Sequence, residues 1–152
     1  MDYILQLRKL IGTRPILLVG AAVLLVNQEN QLLLMKRTDN DCWGFAGGAV
    51  EPGERVEDAA VRETFEETDL KLGEMELFGV FSGPELYYKY PNGDEVYNVI
   101  ITYLSRILTP APVRLNEEHS AWGWFSAGEI PADISPPMIS TIEKFKQTFS
   151  NR

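Results

Sequence analysis

A chain of 152 residues has the length of one domain and can bury about two-thirds of the surface its unfolded form exposes. The apolar fraction of 45% and charged fraction of 24% are those of a globular chain. Fourteen Lys and Arg against 22 Asp and Glu give a net charge of −8. That balance argues against an extended nucleic-acid groove, which needs a basic face, but not against a small phosphorylated ligand. Cys42 is the only cysteine, so no internal disulfide can form, and a reducing cytosol is the expected location.

Residues 1 to 11 place Ile4, Leu7, Leu10 and Ile11 at helical spacing, with Gly12 and Pro15 as stops. This predicts a short amphipathic helix that covers a sheet or makes a homodimer contact. PILLVGAAVLLV, residues 15 to 26, follows Arg8, Lys9 and Arg14, as a signal peptide would. It is too short to span a bilayer and runs into NQENQ rather than a cleavage site, so it reads as a buried strand, with no membrane partner. With LLLMKR it forms a predicted β-hairpin, apolar enough on both arms for both sheet faces to be covered. Residues 38 to 55 carry Asn40, Gly44, Gly47, Gly48, Pro52 and Gly53, a long shaped loop. Residues 56 to 68 contain no Gly or Pro and favour helix.

Beyond Gly73 the chain is β-rich. ELFGVFSG, ELYYKY and EVYNVIITYLSRI read as strands, with PNGD as a turn. WGWFS is a short aromatic strand. PPMISTIEKFKQTF is a closing helix with Ile139, Ile142, Phe145 and Phe149 as its apolar stripe. The pattern predicts a single α/β domain over residues 1–152, a mixed central β-sheet between helical layers.

Glu63, Glu66 and Glu67 lie near the end of the predicted 56–68 helix. Like charges at that spacing repel by roughly 0.2–0.5 kcal/mol per pair, and the helix dipole disfavours anions there. At about 100° per residue they share an arc of roughly 120° with Ala59 and Ala60. Val61 and Phe65 fall on the other side, where they are expected to pack. Acidic side chains on a face of small apolar residues point at something close by. The bland alternative is a solvated acidic helix end.

Residues 48 to 70, GAVEPGERVEDAAVRETFEETDL, resemble the signature of the Nudix hydrolases, the MutT-like family. Gly48, Glu54, Arg62, Glu63, Glu66, Glu67 and Leu70 stand in register with it. Thr64 replaces the usual aliphatic residue. Asp69 replaces the usual glycine, at a position past the helix end that favours a left-handed backbone.

The resemblance implies a Nudix-type α/β/α sandwich and hydrolysis of a phosphoanhydride in a nucleoside diphosphate linked to another group. Mg²⁺ or Mn²⁺ is the implied cofactor, held by Glu66, Glu67 and the Gly47 carbonyl, with Glu63 as ligand or as the base that orients water. Arg62 and Glu54 are implied to pair and shape the loop, and Gly47, Gly48 and Gly53 to let the backbone bend around the site. An acidic residue from outside the motif is also implied. Glu117 and Glu118 are the first candidates and Glu95 the second, each equally readable as solvated surface.

The remaining candidates are less determined. His119 is a candidate for proton transfer or plain polar surface in a loop. Cys42 is read as packed beside Trp43 rather than as a nucleophile. Arg37 reaches a phosphate or merely closes a strand; Trp43 walls the pocket or plugs the core. Tyr87, Tyr88, Tyr90 and Tyr97 pack in the sheet or stack on a base. The leaving group stays open among nucleotide sugars, nucleoside triphosphates and nucleotide-linked alcohols, and capped messenger RNA is disfavoured by the acidic balance. A non-catalytic nucleotide-sensing module of the same fold is the rival reading; the retained glutamates weigh against it.

Overall fold

The computed structural model describes residues 2–150. Met1 of the expected first helix and the last two residues of the expected domain lie outside that range. The order is α1 (Tyr3–Ile11), β1 (Ile16–Val26), β2 (Leu32–Arg37), β3 (Trp43–Gly44), β4 (Ala46–Ala49), α2 (Val56–Thr68), β5 (Glu76–Phe81), β6 (Tyr87–Lys89), β7 (Glu95–Arg106), β8 (His119–Phe125) and α3 (Ile139–Phe149). All eight strands join one sheet. It is mixed: β1 runs parallel to β7 from Ile16↔Val96 to Val26↔Arg106, and the other pairings are antiparallel.

Alternation along β1 sends side chains to two cores. Ala22, Leu24 and Val26 join Leu32, Leu34, Phe45 and the α3 residues Ile142, Phe145 and Phe149 on one face. Ala21, Val23 and Leu25 meet Leu33, Tyr103 and the α2 alanines Ala59 and Ala60 on the other. The sheet is thus the middle layer of an α/β/α sandwich, as its doubly apolar strands require. On α3 the expected stripe holds at Ile142, Phe145 and Phe149, while Ile139, in the first turn, is exposed.

The expected hairpin forms only at its tip. β1 and β2 pair at Val26↔Leu32 and then part. The freed stretch of β1 takes β4 instead, from Gly20↔Ala49 to Val23↔Ala46, while β2 turns to β3 and β8. That opening brings the glycine loop onto the sheet beside α2.

At the other end, α1 begins at Asp2, whose carboxylate accepts from the Ile4 and Leu5 N–H groups. Arg8 ties α1 down by donating to the Glu95 and Arg14 carbonyls at 2.7 and 2.6 Å. Leu5 and Leu10 remain exposed.

Helix α2 corrects one expectation. Val61 and Phe65 are 42% and 44% exposed, and the face carrying Ala59, Ala60, Thr64, Glu67 and Thr68 is the buried one. Small residues let the helix sit close to the sheet, so Glu67 lies on the packed face with Glu63 half-buried beside it, while Glu66 at the margin stays exposed. Asp69 caps the helix in the left-handed region at φ 63°, ψ 16°, its N–H donating to the Phe65 carbonyl.

Thr64 is fully buried and its hydroxyl has no hydrogen-bond partner among the described residues. A buried unpartnered hydroxyl costs about 1–3 kcal/mol. Thr64→Val is therefore expected to stabilise the chain by about 1 kcal/mol, or roughly 2–4 °C in Tm, in a thermal melt.

Candidate functional site

The site is built where β4 passes between β1 and α2, and the approach needs glycine. A Cβ on Gly47 would lie 2.7 Å from the Ala21 carbonyl oxygen and 3.0 Å from Ala22, backbone that cannot yield. One on Gly48 would lie 2.3 Å from the Glu63 carboxyl carbon. These two glycines serve by lacking a side chain. Only Gly53 of the expected three bends the chain through a positive φ, 81°.

Glu67 reaches inward from the last turn of α2 and is 3% exposed. The Gly47 N–H donates to its Oε1 at 2.9 Å. Burial pushes its carboxyl up to about 8 from 4.5; the Gly47 N–H pulls it back in part, and Glu63 and Glu118 add to the rise against a smaller pull from Arg37. Glu63 is also raised by burial, against the pull of Arg62, whose Nη1 donates to Glu63 Oε1 at 2.8 Å. Glu66 is more exposed, 3.5 Å from Arg62 Nη1.

Arg62 meets Glu54 with a two-pronged contact, Nε to Oε2 at 2.8 Å and Nη2 to Oε1 at 3.0 Å. Its Nη2 also donates to the Ala49 carbonyl at 3.1 Å. Glu54 Oε1 accepts the Glu51 N–H, and the guanidinium holds this carboxyl down to about 2. One planar cation thus ties the loop, β4 and α2 together.

Of the acidic candidates beyond the helix, Glu118 lines this acidic hollow. One oxygen each of Glu67 and Glu118 and one ring nitrogen of His119 lie within 4.8 Å of one another. Glu95 sits elsewhere, accepting from the Tyr87 hydroxyl. Glu117 offers its backbone carbonyl to Thr38. His119 is not loop surface. It opens β8, is 7% exposed, and burial lowers its imidazole to about 4.

A second cavity of about 250 Å³ adjoins the acidic hollow, lined by Leu18, Phe45, Tyr88, Asn98, Ile100 and Met138 among others. Arg37, Gly47, Gly48, Ala49 and Tyr90 belong to the walls of both. Arg37 is gripped by Asp39 through Nε and Nη2 at 2.8 and 2.7 Å, leaving Nη1 without a hydrogen bond among the described residues.

The tyrosines divide by strand alternation. Tyr88 and Tyr90 meet edge-on at 4.9 Å on the cavity side, with Asn40 donating to the Tyr88 hydroxyl. Tyr87 and Tyr97 pair with each other outside the cavity. Trp43 packs edge-on against Phe125 and the core rather than lining either cavity. Burial raises the Cys42 thiol, the opposite of a nucleophile's need.

The donor set suits a hard divalent cation. Carboxylate oxygens dominate it, Glu67 is buried with one N–H for support, and the glycines leave room beside them. Asn40 and Asn98 were not among the substrate-site candidates drawn from sequence. Nothing in their spacing marks them, since they come from a loop and a strand distant in the chain.

The NUDIX domain profile matches residues 17–145. A Bacillus subtilis (strain 168) protein provisionally named an 8-oxo-dGTP diphosphatase is 32% identical over 127 residues, 84% of this chain and 78% of its own. The nucleoside triphosphatase NudI of Escherichia coli O17:K52:H18 (strain UMN026 / ExPEC) is 32% identical over 108 residues, 66% of this chain and 76% of its own. Several further relatives are matched over less than half of their own length. The crystal structure of a MutT NUDIX hydrolase from Burkholderia pseudomallei superposes with a TM-score of 0.69 at 29% identity, covering 86% of this chain and 98% of that one. The matched span contains β4, α2 and the carboxylates packed between them, and the chain belongs to the Nudix hydrolase family.

Proposed function

We propose that the chain is one domain that works as a Mg²⁺- or Mn²⁺-dependent pyrophosphohydrolase, cleaving a phosphoanhydride in a nucleoside diphosphate linked to another group. The observation that carries this is the join between an acidic hollow and an apolar, aromatic chamber through shared walls at Arg37, Gly47, Gly48 and Tyr90. The names of the Bacillus and Escherichia relatives put nucleoside triphosphates first among the substrates to try. A nucleotide sugar, or another nucleotide-linked group, is the second class.

Glu66, Glu67 and the Gly47 carbonyl would hold the cation. When bound, it would neutralise diphosphate oxygens and activate water for attack. Glu67 is held toward the hollow by the Gly47 N–H, and Arg62 restrains Glu63 as base or further ligand. Arg37, braced by Asp39, offers its Nη1 to a phosphate oxygen. Asn98 spends its Nδ2 on the Leu86 carbonyl, which leaves its Oδ1 as the group to accept from a base in the chamber beside Tyr88.

No helix among the described residues is long and apolar enough to cross a membrane, and a cytosolic location is the proposed setting. The exposed Leu5 and Leu10 on α1 mark where a homodimer would form. Sedimentation equilibrium is expected to show self-association that Leu10→Lys weakens; a monomer at every concentration removes the homodimer.

The test of function is turnover. Nucleoside triphosphates, nucleotide sugars and dinucleotides are incubated with the protein and Mg²⁺ or Mn²⁺, and phosphate or nucleotide release is followed. Glu67→Gln is expected to weaken metal binding about 10–100-fold and turnover with it. Glu63→Gln lowers kcat by about 10²–10⁴-fold with metal affinity kept if Glu63 is the base, and lowers metal affinity as well if it is a ligand. Metal binding with no turnover of any panel member would favour the sensing module instead.

A pH dependence follows from Glu67. The cation-free fold holds this proton up to about 8, whereas the unfolded chain releases it near 4.5. Between those values the folded state binds the extra proton, so stability falls as pH rises through that window. Thermal melts in EDTA are expected to show Tm dropping from about pH 5 to pH 8, Glu67→Gln to flatten that drop, and Mn²⁺ to restore Tm at the upper end. A wild-type Tm that is level across this range contradicts the placement of Glu67.

A further inference from the structure

The pairing of β2 with β8 is regular from Leu32↔Phe125 to Lys36↔Ala121, then slips, so that Arg37 faces His119 rather than Ser120. A slip of one residue turns every following side chain to the other face, and bulges at sheet edges commonly re-aim a side chain in this way. Here the result is a histidine on the α2 side of the sheet, where Glu67 arrives from the helix. The imidazole is 7% exposed and its Nδ1 has no hydrogen-bond partner among the described residues. A buried polar nitrogen left so is a cost to the fold unless something binds there.

We propose that His119 is a nitrogen ligand which, with Glu67 and Glu118, completes a divalent-cation site and tilts its preference from Mg²⁺ toward a transition-series ion such as Mn²⁺. The inference rests on the reading of Glu67 as a metal-holding carboxylate and adds the two β8-side donors to it. Three donor atoms, one from each residue, lie within 4.8 Å of one another. Atoms sharing one ion at about 2.2 Å stand no more than about 4.4 Å apart, so a small side-chain rotation closes the site. Mg²⁺ demands oxygen ligands and sheds its waters reluctantly, whereas imidazole suits transition ions and binds along the series from Mn²⁺ upward. Of the three donors, Glu118 is the exposed one, which leaves the ion an entry path.

The experiment is pulsed electron paramagnetic resonance of Mn²⁺ added to the full chain, with Mn²⁺ and Mg²⁺ affinities measured by titration. Bound Mn²⁺ is expected to show the nitrogen coupling of a directly attached imidazole. His119→Gln is expected to abolish that coupling and weaken Mn²⁺ roughly tenfold, with Mg²⁺ affinity moved less than about threefold. The wild-type spectrum decides even if the variant folds poorly. Mn²⁺ bound through oxygen alone, in a protein that still turns over a nucleotide, overturns the role of His119 and leaves the pyrophosphohydrolase reading standing. No Mn²⁺ binding at all overturns both.

Discussion

A carboxylic acid that is 3% exposed and has one backbone N–H for company is a group in search of a cation. Taking a carboxylate out of water costs several kcal/mol unless it is paired or coordinated. Glu67 is in that position, with Glu63 and Glu118 adding their own repulsion. The cation-free fold answers by keeping the proton. A divalent ion would answer by replacing it, which couples binding to proton release. The packing of α2, the approach of β4 and the parting of β1 from β2 all serve to put this group where it is.

The approach of β4 is set by what Gly47 and Gly48 lack. At Gly47 the obstacle is the β1 backbone, so no larger residue fits without moving the sheet. At Gly48 the obstacle is the Glu63 carboxyl itself. Arg62 then locks the arrangement, reaching Glu54, Glu63 and the Ala49 carbonyl with one guanidinium. A lysine offers a single point charge and could not make these contacts together. Rigid support of this kind is what a metal site needs if its ligands are to be presented at a fixed geometry.

Much of the fold is legible in local pattern. The doubly apolar β1 and β2, the glycine loop, the Ala- and Glu-rich α2 and the stripe of α3 each announce an element because hydrophobic period and turn chemistry are local properties. Where the reading missed, a long-range contact decided. Val61 and Phe65 resemble a packing face, yet the alanine face wins because it lets α2 lie closer to the sheet. The hairpin arms part because β4 competes for the same edge of β1. Of the two places open to Trp43, pocket wall or core, packing against Phe125 selects the core.

From residue order alone came the acidic cluster, its register with Gly48, Glu54 and Arg62, the family resemblance and the layer order of the sandwich. The first three depend on spacing along one helix and its flanking loop, which the chain carries within about two dozen consecutive positions, and the layer order on strands apolar on both faces. Tertiary structure alone decided that Glu118 rather than Glu95 meets the cluster, that Tyr88 and Tyr90 face the chamber while Tyr87 and Tyr97 do not, and that His119 is turned inward by a slip of register. The reason is physical: neighbours from distant segments are chosen by strand pairing and by which face is buried, and neither is written in the spacing of the residues that end up touching.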